Sequence, residues 1–148
     1  MSEWKERLVT DDAGLRAILK AATTVAVIGA KTGAHEAAYY VPAYLAARGY
    51  RIRPVNPKFA GQTVHGARIV SGLAELDAPV DVVEIFRRPE YLPDHAREIL
   101  ALPWRPRAVW FQLGIRNDAA AEMLARAGID VVQDRCMMPE HRRLLGAA

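Results

Sequence analysis

Short runs rich in Val and Ile alternate along this chain with stretches of helical periodicity, and that alternation narrows the possible folds more than any other feature. Thr24 to Gly29 (TVAVIG), Tyr50 to Val55, Val80 to Phe86, Ala108 to Leu113 and Ile129 to Val132 read as strands, with a shorter one near Arg68 to Val70. Such runs suit strands covered on both faces, as in a parallel sheet. Between them, Leu15, Ile18, Leu19 and Ala22 recur at helical spacing. Thr10 stands before them as an N-cap, and Asp11 and Asp12 suit the positive end of a helix. The pattern predicts further helices from Glu36 to Arg48, closed by Gly49, and from Leu92 to Leu102, with Pro93 in the first turn. Ser71 is expected to cap a brief helix through Leu76, and Asn117 a helix ending before Gly128. Pro139 to Leu145 reads as a short terminal helix, and Gly146, Ala147 and Ala148 are expected to fray.

Strands alternating with helices define βαβ units. The expected fold is therefore α/β and Rossmann-like, a mostly parallel twisted sheet with helices on both faces. At 148 residues, the chain is expected to form one domain over residues 1–148. A chain of this size can bury roughly 68–70% of its unfolded surface, so it needs no covalent staple. No linker, repeat or low-complexity segment interrupts it.

Several function classes fall away. The net charge of +3 is mild. The arginines at 51, 53, 87, 88, 105, 107, 142 and 143 are scattered, without the dense basic run or aromatic ladder of a nucleic-acid binder. Cys136 is the only cysteine, which excludes an intramolecular disulfide. The polar start, Met1 to Lys5, lacks the apolar core of a signal peptide, and no apolar run approaches a membrane span. The expected compartment is the cytoplasm. Ser2 and Ser71 are the only serines, and neither lies in a nucleophile elbow. The four histidines show no metal-ligand spacing. Cys136 and His141 could meet as nucleophile and base, but a lone cysteine more often packs as a small hydrophobe. Trp110 reads as core, and Asp77, Asp81 and Glu84 follow no acid–base pattern. The expectation is a binding module without complete catalytic machinery.

In open α/β sheets ligands bind beyond the carboxyl ends of the strands. That rule singles out the loops beginning at Gly29, Asn56, Phe86 and Gln112. In the first, Gly29 and Gly33 bracket Ala30, Lys31 and Thr32, between a strand and a helix N-terminus where backbone amides can meet phosphate. The spacing matches neither the dinucleotide fingerprint nor the Walker loop. In the second, the carboxylate that an NAD domain presents to the ribose is missing, and Asn56, Pro57 and Lys58 stand there instead. A cation suits a ribose bearing an extra phosphate, which leaves coenzyme A (CoA) and NADP both open. The third loop, from Phe86, places Arg87 and Arg88 at the same sheet end, and the fourth offers Gln112, Leu113 and Gly114.

Five segments in order, VAVIGAKTG, GYRIRPVNPK, DVVEIFRRPE, VWFQLGIRN and VVQDRCMMPEH, resemble the small stand-alone CoA-binding proteins. These are similar to the N-terminal CoA-binding domain of the succinyl-CoA synthetase α subunit. The likeness runs from about Thr24 to Leu145. It implies that Gly29, Ala30, Lys31, Thr32 and Gly33 cradle the CoA phosphates. It places Asn56, Pro57 and Lys58 near the phosphorylated ribose, and Ile85, Phe86 and Arg87 beside the adenosine. Gln112, Leu113 and Gly114 fall near the pantetheine arm. The synthetase's phosphorylated histidine and its nucleotide-grasping subunit lie outside the matched region. The resemblance therefore implies binding of CoA or an acyl-CoA and no ligase chemistry. An NADP-dependent oxidoreductase-like domain is the alternative, and any protein partner is unknown.

Overall fold

The computed structural model describes residues 3–146. In chain order the elements are α1 (Asp12–Ala21), β1 (Thr24–Ile28), α2 (Ala37–Ala47), β2 (Arg51–Val55), β3 (Thr63–Val64), β4 (Ala67–Arg68), β5 (Val82–Ile85), α3 (Leu92–Leu100), β6 (Ala108–Phe111), α4 (Asp118–Arg126), β7 (Asp130–Val132) and α5 (Met137–Leu144). Five strands form one sheet in the order β2-β1-β5-β6-β7, and every neighbouring pair is parallel. Helices cover both faces, as an α/β Rossmann-like fold requires. Val25, Val27, Trp110 and Val132 pack on one side with residues of α1, α2 and α5. Ile28, Val83, Val109 and Phe111 pack on the other with residues of α3 and α4. All of β5 and β6 is buried, which is why these strands show no polar alternation.

Several local expectations are corrected. Asp11, not Thr10, is the N-cap residue of α1, and its side chain makes no capping bond. The strand expected near Arg68 to Val70 is instead a small antiparallel hairpin, β3 with β4. His65 and Gly66 at its tip both have positive φ, 52° and 76°, the requirement of a tight two-residue hairpin turn. Val70 adds only a single parallel bridge to Val55. Ser71 does not cap; Gly72 precedes a 3₁₀ turn over Leu73–Glu75, and the Ser71 amide donates to the Glu75 carboxylate. Asn117 does cap α4, accepting from the Ala120 amide at 2.9 Å. Gly49 has φ 98°, as its place after α2 demands. Gly146 is held by its amide, which donates to the His141 carbonyl at 2.9 Å; Ala147 and Ala148 lie outside the described residues. A 3₁₀ turn over Glu3–Arg7 leads to Leu8 and Val9, which pair with Val131 and shield the β7 edge.

Pro42 lies inside α2, where it can donate no hydrogen bond to the Ala38 carbonyl. The backbone amide of Lys31 donates to that carbonyl instead, at 3.4 Å. A gap in the helix ladder thus becomes an anchor for the loop after β1.

At the opposite end of the sheet, Asp81 ties β1 to β5. One of its carboxylate oxygens accepts from the amides of Thr23 and Thr24, at 2.8 and 3.0 Å, and from both hydroxyls. Burial pushes this carboxyl up, but those bonds outweigh it and leave it below the ordinary value of 3.8. Asp81→Ala is expected to cost about 1–2 kcal/mol, since a half-exposed acceptor of several bonds is lost. The depressed group contributes stability above the ordinary carboxylate range and loses it as pH falls through its lowered value. Urea melts at pH 7 and at strongly acid pH should therefore show the gap between wild type and variant closing in acid.

A cleft at the carboxyl ends of the strands

From β1 the chain passes through α2 to β2 on one side, while β5 lies on the other, so a crevice opens at the carboxyl ends of β1 and β5. Gly29 makes the turn out of β1 with φ 85°, and a Cβ there would run into the carbonyl oxygen of Phe86. The amides of Gly29 and Ala30 both donate to the Val55 carbonyl, at 2.9 and 3.3 Å. Asn56 completes the junction: its amide nitrogen donates to the Ala30 carbonyl at 2.9 Å, and its oxygen accepts from the Lys58 amide at 3.0 Å. Asn56 therefore positions the first two loops with both ends of its side chain.

A cleft of about 530 Å³ lies beside this junction, lined by Lys31, Glu36, Ala37, Ala38, Tyr40, Phe86, Arg87, Arg88, Pro89, Gln112, Leu113, Ile115 and Cys136. Its rim is cationic. Lys31 lies 3.7 Å from the Glu36 carboxylate, and Arg87 stacks on the Tyr91 ring at 4.7 Å. Its walls are partly apolar: Leu113 is 66% exposed and Tyr40 42%. Exposed apolar groups gathered at one cleft mark a ligand surface better than scattered ones do.

Two polar side chains near the carboxyl ends of the strands are buried, Glu84 and Gln112. Glu84 is the cross-strand partner of Val27 and Trp110, so it faces the α2 and α5 side. Neither of its carboxyl oxygens has a hydrogen-bond partner among the described residues, and burial pushes the group up to about 8. Gln112, two residues beyond Trp110, is 6% exposed, and its side-chain oxygen is likewise unpartnered. Cys136, the N-cap residue of α5, lines the cleft with Gln112 and makes no side-chain capping bond. Burial pushes the Cys136 thiol up.

Of the residues anticipated from sequence, Lys31, Phe86, Arg87, Gln112 and Leu113 line the cleft. Gly29, Ala30, Thr32 and Gly33 form the adjoining turn and loop. Pro57 and Lys58 sit on a 3₁₀ turn joined to that loop through Asn56. Ile85 is buried in the core on the α3 side, which leaves only its backbone for a ligand. Gly114 takes φ 84°, and its amide donates to Asp134 at 2.6 Å. Arg53 is bound to Asp77 at 2.7 Å. His141 bonds the Tyr44 hydroxyl at 3.0 Å, and no hydrogen bond joins it to Cys136 among the described residues. Sequence reasoning did not single out Tyr40, and it did not place Cys136 in the cleft. One signal was available for Cys136: it follows the last strand, at the same sheet end as the other loops. No group of three or more metal-ligating side chains occurs among the described residues, and no helix among them is long and apolar enough to cross a membrane.

A parallel sheet of this order, with a glycine turn and a cationic, part-apolar cleft at its switch point, has the architecture in which α/β domains hold ligands. More particularly, the chain belongs to the family of the CoA binding domain, which it matches over residues 23–142. It is 34% identical over 129 residues to the uncharacterized protein YneT of Bacillus subtilis (strain 168), covering 87% of this chain and 93% of that one. It also resembles two solved structures. One, cell-free ID.343 from Thermus thermophilus, is 48% identical with a TM-score of 0.87, over 92% of this chain and 100% of the other. The second, a hypothetical protein from Pyrococcus horikoshii OT3, is 31% identical with a TM-score of 0.85, over 93% and 94%.

The raised Glu84 carboxyl carries its own test. It binds a proton up to about pH 8 in the fold, whereas an ordinary glutamate titrates near 4.5. Its contribution to stability is full below the ordinary value and is lost as pH rises through the folded one. Stability from this group should fall between those limits, and Glu84→Gln, which cannot ionise, should flatten the fall. Urea midpoints from pH 5 to 9 would show it.

Proposed function

We propose that this protein binds CoA or an acyl-CoA through the cleft and its adjoining loops, and that it is a binding module rather than an enzyme with complete catalytic machinery. The observation that carries the reading is the gathering of Lys31, Arg87 and Arg88 with the exposed Tyr40 and Leu113 and the unpartnered Gln112 oxygen in one crevice. CoA has matching parts: a polyanionic end, an aromatic base, and an arm of amides ending in sulfur. The turn at Gly29 and the loop through Gly33 bring backbone close to the phosphates, and Lys31 and Arg87 supply charge. Phe86 offers an apolar wall. Gln112, Leu113 and the backbone near Gly114 receive the arm. Asn56 and Pro57 set the loop that presents Lys58 to the ribose phosphate. The absence of a carboxylate at the end of β2 works against NAD, and the cation there favours a phosphorylated ribose.

Thermal melts test the ligand class. A ligand at 100 times its Kd stabilises by about 2.7 kcal/mol. CoA is expected to raise Tm more than NAD or NADP at equal concentration; a shift with NADP and none with CoA would overturn the reading. The role of Lys58 is tested by a four-way titration of wild type and Lys58→Ala with CoA and dephospho-CoA. A charge-assisted bond from an exposed lysine contributes at the low end of 1.5–3 kcal/mol, or roughly tenfold in affinity. The wild type should prefer CoA by that factor and the variant should lose the preference. An unchanged ratio would assign the phosphate to another cation.

A further inference from the structure

Cys136 is the chain's only cysteine, and the fold places it on the wall of the cleft beside Gln112. A thiol in a cleft means little alone. Gln112 gives it weight: this side chain is 6% exposed, lines the same cleft as the thiol, and has an oxygen with no partner among the described residues. A buried acceptor left unpaired is costly, so a ligand that belongs here brings a hydrogen-bond donor next to the thiol. Under the CoA reading, on which this inference rests, that donor is an N–H of the pantetheine arm, which ends in sulfur. We propose that Cys136 is a thiol-exchange site that takes up the CoA half of a CoA disulfide as a mixed disulfide.

The step balances without a further oxidant. Cys136 loses its proton to water, and its thiolate attacks the CoA-side sulfur of CoA–S–S–R. That S–S bond breaks, a new one joins Cys136 to CoA, and the departing RS⁻ takes a proton from water. The oxidising equivalents arrive with the disulfide. Burial keeps the thiol largely protonated, so it is a poor nucleophile toward disulfides at large. Selectivity comes from binding, which raises the effective concentration of the one disulfide the cleft holds.

Because there is one cysteine, intact mass reports its state without a variant. Reduced full-length protein is incubated with CoA disulfide or with glutathione disulfide, each with and without desulfo-CoA, whose own binding is measured by isothermal titration. The expected result is an adduct of one CoA that dithiothreitol removes. It should form about tenfold faster than the glutathione adduct, and desulfo-CoA should slow it. Equal rates with the two disulfides, indifferent to desulfo-CoA, would make Cys136 an ordinary thiol and overturn the proposal. Desulfo-CoA binding without adduct formation would overturn the exchange and leave the CoA reading intact. Failure of desulfo-CoA to bind would remove both.

Discussion

The contact between Gly29 and the carbonyl of Phe86 is the constraint on which the site depends. The chain leaves β1 with positive φ, against a neighbouring strand end so close that no side chain fits. The Phe86 amide donates to the Ile28 carbonyl at 2.8 Å, and the Gly29 amide to Val55 at 2.9 Å, so three strand ends are tied within two residues of the turn. Past that point the loops diverge, because α2 carries the chain across one face and α3 across the other. The crevice is what remains between them. An alanine at position 29 would meet both a steric block and an unfavourable dihedral, and relief of either would separate β1 from β5 where the cleft begins.

The electrostatics of the cleft run from solvent inward. At the rim the charges are exposed and paired loosely. Lys31 and Glu36 are each about 40% exposed, and such pairs contribute little to stability. Lys31 can therefore exchange a carboxylate for a ligand phosphate at small cost to the fold. At the inner end the dielectric is low and the polar groups are few. Glu84, fully buried in β5, is held neutral, so this strand adds no fixed negative charge near neutral pH.

Much of this was legible in the sequence, for identifiable reasons. Strands buried on both faces announce themselves as runs such as TVAVIG, and the loops that follow them are where ligands bind in such sheets. The hairpin of β3 and β4 was illegible because its turn is His65-Gly66 rather than the usual Asn-Gly or Asp-Gly. Thr10 was a sound cap by residue type, but the helix starts one residue later. Glu84 was visible in principle: a carboxyl inside DVVEIF, on a strand covered on both faces, has no solvent to point toward. Tyr40 could not be found by pattern, since α2 is apolar nearly all round and gives no clue to which aromatic stays exposed.

The two ends of the cleft should contribute to recognition in different ways. On the CoA reading, Lys58 beside the cleft and Arg87 on its rim would carry charges that water and salt can reach, attracting any phosphorylated ligand and discriminating among them modestly. Gln112 is different. It lines the cleft beside Cys136, and its buried oxygen has no partner among the described residues. A site built to bond a donor rejects the analogue that lacks one more strongly than a charged rim rejects a missing phosphate, because the loss leaves a buried polar group unpaired. On the CoA reading, selectivity for the arm of the ligand, rather than for its nucleotide, would therefore rest with the end of β6 and the start of α5. Both elements are rooted in the core beside Trp110, whose indole N–H donates to the Arg135 carbonyl at 2.8 Å and holds the segment bearing Cys136 against the sheet.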